Sequence, residues 1–453
     1  MLRTVVNIFK IPDLRSKIIF TLCMLIIFRV GSHIPVPGFR YEQMTQNSGS
    51  GGEGALGRAV EYMQMLTGGM LGRCTLFGLG IMPYITASII LMLLAEVWPV
   101  LKKLRQEGQA GYKKINEYTR YLTVIVCIIQ AMFYIKYFAS SGLIYSGMWT
   151  QALIMGIIGM TAGTVFLMWI GEQIDEYGIG NGISLIIMAG IVARLPWAVQ
   201  DLARLVKFNV AAETGAIGPG KLMFLVASFI FIVAGVILIT QAQRRIPVQQ
   251  AKQMRGMKMY GGQRHYLPLR VNHGGVMPII FASSFMMFVP VITGYLRSAF
   301  ERGGKVGFFT DLAQAFEYNG YIYAVMYMIL IVLFAYFWVS VQFQPKDMAK
   351  NLQDSGSFIP GLRPGRRTAE YLETVMGRVT FYGGSFLAII AVVPDMVTTS
   401  LGIPSRITNF LGGTGLLIVV SVSLDVVQRI EANLLMRSYE GFSSAGRIKG
   451  AYA

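Results

Sequence analysis

Gly80-Ile81-Met82-Pro83-Tyr84-Ile85-Thr86-Ala87-Ser88 has a counterpart 195 positions later, Gly275-Val276-Met277-Pro278-Ile279-Ile280-Phe281-Ala282-Ser283. In both copies a glycine and a β-branched residue precede Met-Pro, and a long apolar run follows. A proline in the first turn of a helix loses no hydrogen bond, because its N–H would have been unpaired there anyway. Both copies therefore predict the start of a membrane helix, and their matching positions predict two structural repeats that meet at an interface.

The composition is that of a membrane protein. Hydrophobic residues make up 54% of the 453 residues and charged residues only 14%, which excludes an ordinary soluble domain. No short apolar segment with a small-residue cleavage site is found, so we expect the first apolar run to remain as a span. The three cysteines, Cys23, Cys74 and Cys127, lie in or beside apolar runs and are expected to be buried, reduced thiols.

About 20 apolar residues are needed for one crossing of a bilayer. On that basis we predict an all-α polytopic membrane protein with ten transmembrane helices. They lie near 18–35, 76–95, 121–138, 151–171, 183–198, 222–242, 276–294, 321–342, 376–397 and 407–428.

Lysine and arginine concentrate in the connections on the side of the N-terminus, which predicts that both termini are cytoplasmic. A repeat of five spans is odd-numbered, so the second half must enter the membrane from the opposite side, and two inverted halves follow. The predicted parts are a cytoplasmic N-terminal segment (1–17), an N-terminal half (18–200), a C-terminal half (221–428) and a cytoplasmic tail (429–453).

Between the first two spans, a glycine-rich linker (48–54) is followed by a short apolar piece at 62–71. This piece has about half the length needed to cross a bilayer. Two interpretations remain open from the residues alone: an interfacial turn, or a half-helix folded back into a cavity.

The connection 243–274 is predicted to be cytoplasmic and holds seven basic residues and no acidic one. Residues 257–260 and 263–266 flank Gly261-Gly262, which predicts two short strands paired around a Gly-Gly turn. Basic loops often serve only to fix orientation, but a connection of this length also suits an anionic partner such as RNA phosphate or an acidic protein face. The connection 343–374 carries a second basic cluster at 363–367.

Motifs for catalysis are not found in the sequence. HExxH does not occur, the three histidines are scattered, and the P-loop-like stretch 215–222 has Leu222 where Ser or Thr would bind magnesium. We therefore expect no enzyme, no cofactor and no metal site. The main alternative to a channel is an ion-coupled secondary transporter with inverted five-helix repeats, which would need an ionisable site near the midplane.

Isoleucine pairs spaced four apart, Ile81/Ile85 and Ile187/Ile191, place aliphatic groups on one face of a helix. Core packing explains any single pair. Several such pairs near the repeat axis would instead form a hydrophobic constriction, which blocks ions because they cannot lose their water there.

The chain resembles the SecY/Sec61-alpha family of protein-conducting channels nearly end to end. The stretches that carry the resemblance are Gly80–Tyr84, Phe166–Glu172, Gly178–Ser184, Ile34–Pro37, Leu267–Asn272, Gly361–Gly365 and Gly412–Val420. The resemblance implies an hourglass pore between the two halves, with a waist of aliphatic side chains. The ring residues carry over as Ile81, Ile85, Ile187, Ile191, Ile280 and Ile418.

The same resemblance implies the remaining parts of the channel. A plug would occupy the short apolar piece, with Tyr62, Met63, Met65, Leu66, Gly68, Gly69 and Met70. The second and seventh spans would form the two sides of a lateral gate, with Thr86, Ala87, Ser88, Gln130, Ala282, Ser283 and Ser284. Partner docking would fall on the basic connections, at Arg244, Arg245, Lys252, Arg255, Lys258, Arg264, Arg363, Arg366 and Arg367.

The function that the resemblance implies is the passage of unfolded secretory polypeptides across the cytoplasmic (inner) membrane, with sideways release of signal sequences and membrane segments into lipid. The implied partners are the SecE and SecG membrane subunits, the motor ATPase SecA, the ribosome including its rRNA, signal sequences and nascent chains, and membrane lipid.

Overall fold

The computed structural model describes residues 11–40, 74–140, 142–145, 147–206, 218–250, 253–255, 258–260, 264–286, 289, 320–400 and 414–445. The chain divides into two compact units, one of Met1–Trp197 with Val422–Ala453 and the other of Ala198–Ser421.

In the described part of the first unit, the regular elements are helices, with two isolated β-bridges, Pro35 with Thr75 and Phe39 with Ile144, in the connections. Its helices are α1 (Pro12–Gly31), α2 (Met82–Val97), α3 (Pro99–Gln106), α4 (Gln109–Ser140), α5 (Trp149–Tyr177) and α6 (Gly182–Val192). Two further helices, α7 (Leu195–Leu205) and α13 (Thr414–Ala445), contribute residues to both units.

The second unit combines helices with short strands. Its helices are α8 (Pro219–Gln241), α9 (Met277–Met286), α10 (Tyr321–Gln342), α11 (Pro345–Asp354) and α12 (Arg366–Ser400). Its strands are β1 (Gln243–Gln250), β2 (Gln253–Arg255), β3 (Lys258–Tyr260), β4 (Arg264–Arg270) and β5 (Ser357–Phe358).

Each of the ten apolar stretches coincides with a helix that the structure describes in whole or in part. Six described helical stretches are long and apolar enough to cross a membrane, and α2 with α3 is a seventh candidate if that bent pair counts as one span. The helical class is thus confirmed, and the count of ten spans stays a prediction. Several boundaries differ from the predicted ones: α12 begins at Arg366, because the polar residues before the apolar run are themselves good helix formers.

The core of the first unit forms around Phe77. Its buried ring stacks on Phe28 of α1 and Phe166 of α5, with centroid distances of 6.4 and 6.0 Å. Gly31 makes room for this ring, because a Cβ at Gly31 would meet it. Phe77 therefore holds the segment before α2 against two long helices.

A short backbone ladder adds to this anchoring. Val36 donates to the carbonyl of Cys74 and Leu76 donates to the carbonyl of Ile34, both at 2.9 Å. The Ile34–Pro37 motif is thus the partner of the segment that leads into α2.

The two copies of the doubled motif begin their helices in the same way. Gly80 and Gly275 adopt left-handed backbone conformations, with φ of 60° and 59°. Pro83 and Pro278 each occupy the second position of the helix that follows, α2 and α9 respectively. The local repeat predicted from the sequence is confirmed at the level of backbone conformation.

A three-stranded antiparallel sheet of order β4-β1-β5 joins the two predicted cytoplasmic connections of the second unit. Strands β1 and β4 belong to 243–274, and β5 belongs to 343–374. The inner face of the sheet packs on α10 and α12 through one apolar cluster. Its buried members are Ile246, Val248, Leu269, Val339, Phe343, Ile359, Leu372, Val375, Met376 and Val379.

The predicted pairing around Gly261-Gly262 is wrong. Lys258–Tyr260 and Arg264–Arg270 are strands, but the first pairs with Gln253–Arg255 and the second with Gln243–Gln250. The reason is burial: pairing β4 with β1 places Leu267 and Leu269 on the apolar cluster, which a local hairpin could not do.

Candidate functional site

The six isoleucines expected at the waist are all buried, with 6% of their surface exposed at most. Ile81 and Ile85 belong to the start of α2, and Ile187 and Ile191 to one face of α6. Ile280 lies on α9 in the second unit. Ile418 lies on the part of α13 that belongs to that unit. The structure therefore gives each residue the burial that a waist requires, and their grouping into one ring stays a prediction.

The residues expected at the lateral gate lie on the second turns of α2 and α9, with Gln130 on α4. Four of them are buried, with at most 2% of their surface exposed: Ala87, Ala282, Ser283 and Ser284.

The hydroxyl groups at these positions bond within their own helices. Thr86 Oγ1 donates to the Met82 carbonyl at 3.0 Å, and Ser284 Oγ donates to the Ile280 carbonyl at 2.7 Å. Ser283 Oγ also donates to Ile280, at 2.9 Å. Because a back-bonded hydroxyl is already satisfied, it does not need a partner on a neighbouring helix.

Gln130 differs from these hydroxyls. Its Oε1 is buried, and among the described residues it has no hydrogen-bond partner. A buried polar atom without a hydrogen-bond partner costs free energy, so Gln130 Oε1 is a destabilising polar group in this arrangement of α4.

The motif Gly178–Ser184 forms the joint between α5 and α6. Asn181 caps α6 by accepting from the Ser184 N–H at 3.0 Å, and Asp175 accepts from the Gly182 N–H at 2.8 Å. Ile179 N–H donates to Thr21 Oγ1 of α1 at 3.1 Å. The motif therefore fixes the direction in which α6 leaves α5, and with it the positions of Ile187 and Ile191.

A bidentate ion pair joins α4 to α5 near this joint. Arg120 donates through Nε and Nη2 to the two oxygens of Glu172, both at 2.9 Å. Analysis of the sequence missed this pair, although opposite charges at the ends of two consecutive spans were a signal for it.

The outward face of the β4-β1 ladder is basic. Successive side chains in a strand alternate between faces. Arg245, Arg264, Arg270 and Tyr266 therefore lie opposite the apolar cluster, and all four are exposed. Arg244 is exposed as well. No acidic side chain interrupts this face, so its potential attracts an anionic surface.

The second basic cluster lies where the chain enters α12. Arg363, Arg366 and Arg367 are exposed, and Arg366 pairs with Glu370 at 2.9 Å. In the described part of the chain neither Arg363 nor Arg367 has an ion pair. These two guanidinium groups are free for an external partner.

Some predicted residues cannot be placed. The plug residues at 62–70 and Lys252 lie outside the described residues. Arg255 and Lys258 lie in β2 and β3.

Two other expectations concern cysteines and metals. Cys74 and Cys127 are buried free thiols, but the expectation of burial is wrong for Cys23, which is exposed on α1. The described residues contain no group of three or more His, Cys, Asp or Glu side chains that could hold a metal ion.

His273 precedes α9 in the loop between the sheet and the membrane helix. Burial lowers the pKa of its imidazole, and the Arg270 guanidinium lowers it further. Its ring packs edge-on against Phe343 at 6.1 Å. The imidazole is therefore neutral at pH 7 and packs at the end of α10, where Phe343 belongs to the apolar cluster under the sheet.

Comparison with solved structures identifies the class of fold. The chain aligns over 92% of its length with a protein-conducting channel, at a TM-score of 0.60 and 20% identity. It also aligns over 92% with Sec61 from a canine ribosome–channel complex of the endoplasmic reticulum, at a TM-score of 0.56 and 19% identity. The fold is thus that of the SecY/Sec61 channels.

Comparison of sequences identifies the family. The SecY family model matches residues 75–427. The protein translocase subunit SecY of Thermotoga maritima is 40% identical over 98% of both chains. The subunit of the same name from Streptomyces galbus is 42% identical over 98% of this chain and all of its own. The chain belongs to the SecY family.

Proposed function

We propose that this chain forms the channel through which unfolded secretory polypeptides cross a membrane, and from which signal sequences and membrane segments leave sideways into lipid. The observation that carries this function is the match to SecY proteins over 98% of the chain. The alternative of an ion-coupled transporter is not supported, because neither the family nor the fold points to it.

We assign the waist of the channel to Ile81, Ile85, Ile187, Ile191, Ile280 and Ile418. Their burial and their purely aliphatic chemistry support the assignment. A ring of flexible apolar side chains contacts any polypeptide without binding it, and it excludes ions by dewetting when the channel is empty.

We assign the lateral gate to Thr86, Ala87, Ser88, Gln130, Ala282, Ser283 and Ser284. The back-bonded hydroxyls support this, because a gate without strong polar links opens at small cost. Interhelical polar contacts average only about 0.6 kcal/mol in one measured membrane protein. An arriving apolar helix can therefore compete with the closed packing.

We assign partner docking to the outward face of the β4-β1 ladder and to the cluster Arg363, Arg366 and Arg367. Exposed guanidinium groups bind phosphate and carboxylate groups well, and of these arginines only Arg366 has an ion pair in the described part of the chain, with Glu370. The ribosome with its rRNA and the motor ATPase SecA are the proposed partners on these surfaces. A relative of the same fold, canine Sec61, is found in a ribosome–channel complex.

The membrane arrangement completes the proposal. The chain is embedded in the cytoplasmic membrane with both termini in the cytoplasm, and it assembles with SecE and SecG. Its halves, 18–200 and 221–428, form inverted repeats, and residues 62–71 supply a plug. No step of catalysis is assigned to the chain.

Crosslinking to a substrate tests this function. Thr86→Cys and Ser283→Cys are introduced separately, with the exposed Cys23 replaced by serine. Each variant is incubated with a stalled secretory chain that carries a cysteine in its signal sequence. Matched controls are Ile154→Cys and Ile230→Cys, exposed positions on α5 and α8 outside the gate.

We expect adducts at 86 and 283 and none at the two controls, and we expect the adducts to disappear when the signal sequence is deleted. Equal labelling at all four positions, or none at any, contradicts the gate.

A further inference from the structure

The helix pair α2–α3 turns sharply at Trp98. The two helix axes differ by 102°, and Pro99 begins α3 without a donor that could continue α2. Across the bend, Glu96 accepts from Lys102 Nζ at 3.1 Å and from Arg105 Nη1 at 3.4 Å. The carboxylate of Glu96 therefore holds α3 nearly perpendicular to α2.

The far end of α3 is fixed as well. Gly108 turns the chain with φ of 73°, and a Cβ at Gly111 would meet the Leu104 carbonyl. Such close contact requires glycine at 111 and packs the end of α3 against the start of α4. The position of α3 is thus fixed at both of its ends.

The side chains of α3 divide into two faces. At 100° per residue, Val100, Leu101 and Leu104 lie on one arc, and the basic residues Lys102, Lys103 and Arg105 lie on the other. Two further apolar residues, Val97 at the end of α2 and Trp98 at the bend, directly precede this helix. The exposed fractions of Val97, Trp98 and Val100 are 85%, 56% and 65%.

We propose that α3 lies in the membrane–water interface, with Val97, Trp98 and Val100 inserted below the headgroups and Lys102 and Lys103 bound to anionic phospholipid headgroups. The surface is the cytoplasmic one in the proposed orientation. The inference needs the chain to be embedded in a membrane, and it does not need the channel to be active.

Three observations select lipid as the occupant of this face. A helix perpendicular to a membrane-spanning helix lies parallel to the bilayer plane, and α2 is the apolar helix to which α3 is joined. Tryptophan prefers the headgroup level of a bilayer. Lys102 and Arg105 share the one carboxylate of Glu96, and Lys103 has no ion pair among the described residues, so positive charge remains for an anionic headgroup.

The depth of α3 is the first test. The full-length protein, with Cys23→Ser, carries a nitroxide at Val100→Cys or at Lys103→Cys in vesicles of phosphatidylcholine and phosphatidylglycerol. We expect the Val100 label to be more accessible to oxygen than to a water-soluble nickel chelate, and the Lys103 label to show the reverse. A Val100 label with the accessibility of an aqueous site overturns the proposal and points to a protein or RNA partner instead.

The lipid class is the second test. Native mass spectrometry counts the phosphatidylglycerol molecules retained by the wild type and by Lys102→Gln/Lys103→Gln. The control is Lys346→Gln/Lys350→Gln on α11, two exposed lysines on a helix that continues α10 without such a bend. We expect loss of phosphatidylglycerol only in the α3 variant, with phosphatidylcholine unchanged in both. Unchanged phosphatidylglycerol in the α3 variant overturns the proposed headgroup site.

Discussion

The backbone of Gly182 passes so close to that of Gly171 that a Cβ on Gly182 would meet the carbonyl group of Gly171. This contact joins α5 to α6 without any side chain between them. Asp175 supports it by accepting from the Gly182 N–H. The direction of α6, and hence the placement of Ile187 and Ile191, depends on this pair of glycines.

Gly182→Ala is expected to destabilise the protein by about 1–3 kcal/mol, the usual cost of forcing extra volume into a packed site. The obstacle is backbone, so it cannot rotate away. Thermal unfolding in detergent measures the effect. Gly220→Ala is the matched control, because nothing lies within 4 Å of its added Cβ. If the two variants have the same unfolding temperature, the contact between Gly171 and Gly182 does not constrain the joint.

Gly80→Ala and Gly275→Ala are expected to cost similar amounts, about 1–2 kcal/mol each, because both glycines adopt left-handed backbone. Gly377→Ala within α12 is the control, and it is expected to stabilise by roughly 0.5–1 kcal/mol. Chemical denaturation of the three variants in one detergent compares them. If Gly80→Ala and Gly275→Ala behave like Gly377→Ala, the shared helix start is not a constraint.

Replacing Ile85, Ile187 and Ile280 together by serine is expected to let ions leak through the resting channel. Hydroxyl groups at the waist hold water, so the constriction no longer dewets. Planar-bilayer conductance per inserted protein is the measurement.

The control for the waist changes three buried isoleucines of the same helices: Ile89, Ile186 and Ile279 to serine. It introduces the same chemistry one helical position or one turn away. We expect reduced stability and no resting conductance. Conductance in both triple variants, or in neither, would contradict the assignment of the ring.

Arg363→Glu is expected to slow secretion driven by SecA several-fold while leaving the protein folded and inserted. Arg363 is exposed and is free of an ion pair in the described part of the chain, so its charge contributes little to stability. Translocation of a secretory precursor into reconstituted vesicles is the assay. The control is Lys350→Glu, which reverses an exposed charge on α11 and should keep the wild-type rate. An unchanged rate for Arg363→Glu would exclude this residue from docking.

Local sequence patterns predicted the helices well. Proline and glycine at the start of α2 and α9 indicated where these helices begin. Each apolar run that was predicted to be a span coincides with a described helix. These signals are local, since they depend on a few neighbouring residues. The spacing of the pairs Ile81/Ile85 and Ile187/Ile191 also indicated buried aliphatic faces, whereas Ile280 and Ile418 were expected only from the family resemblance.

Features that depend on distant contacts were not predicted. The pairing of β4 with β1 is decided by the apolar cluster under the sheet. Two members of this cluster, Val339 and Leu372, come from α10 and α12. The pair Arg120–Glu172 joins residues 52 apart in sequence. A short window of sequence does not specify which distant segment a residue meets, so Gly261-Gly262 suggested a hairpin that does not form.

Strand β5 meets β1 at only two positions, Phe358 opposite Gln249 and Ser357 opposite Gln250. Even so, this short ladder links the connections 243–274 and 343–374, so protein engineering has to treat them as one unit. A chimera that exchanges one of them with a relative leaves the other without its matching edge. Loop swaps designed to transfer partner preference should therefore move 243–274 and 343–374 together.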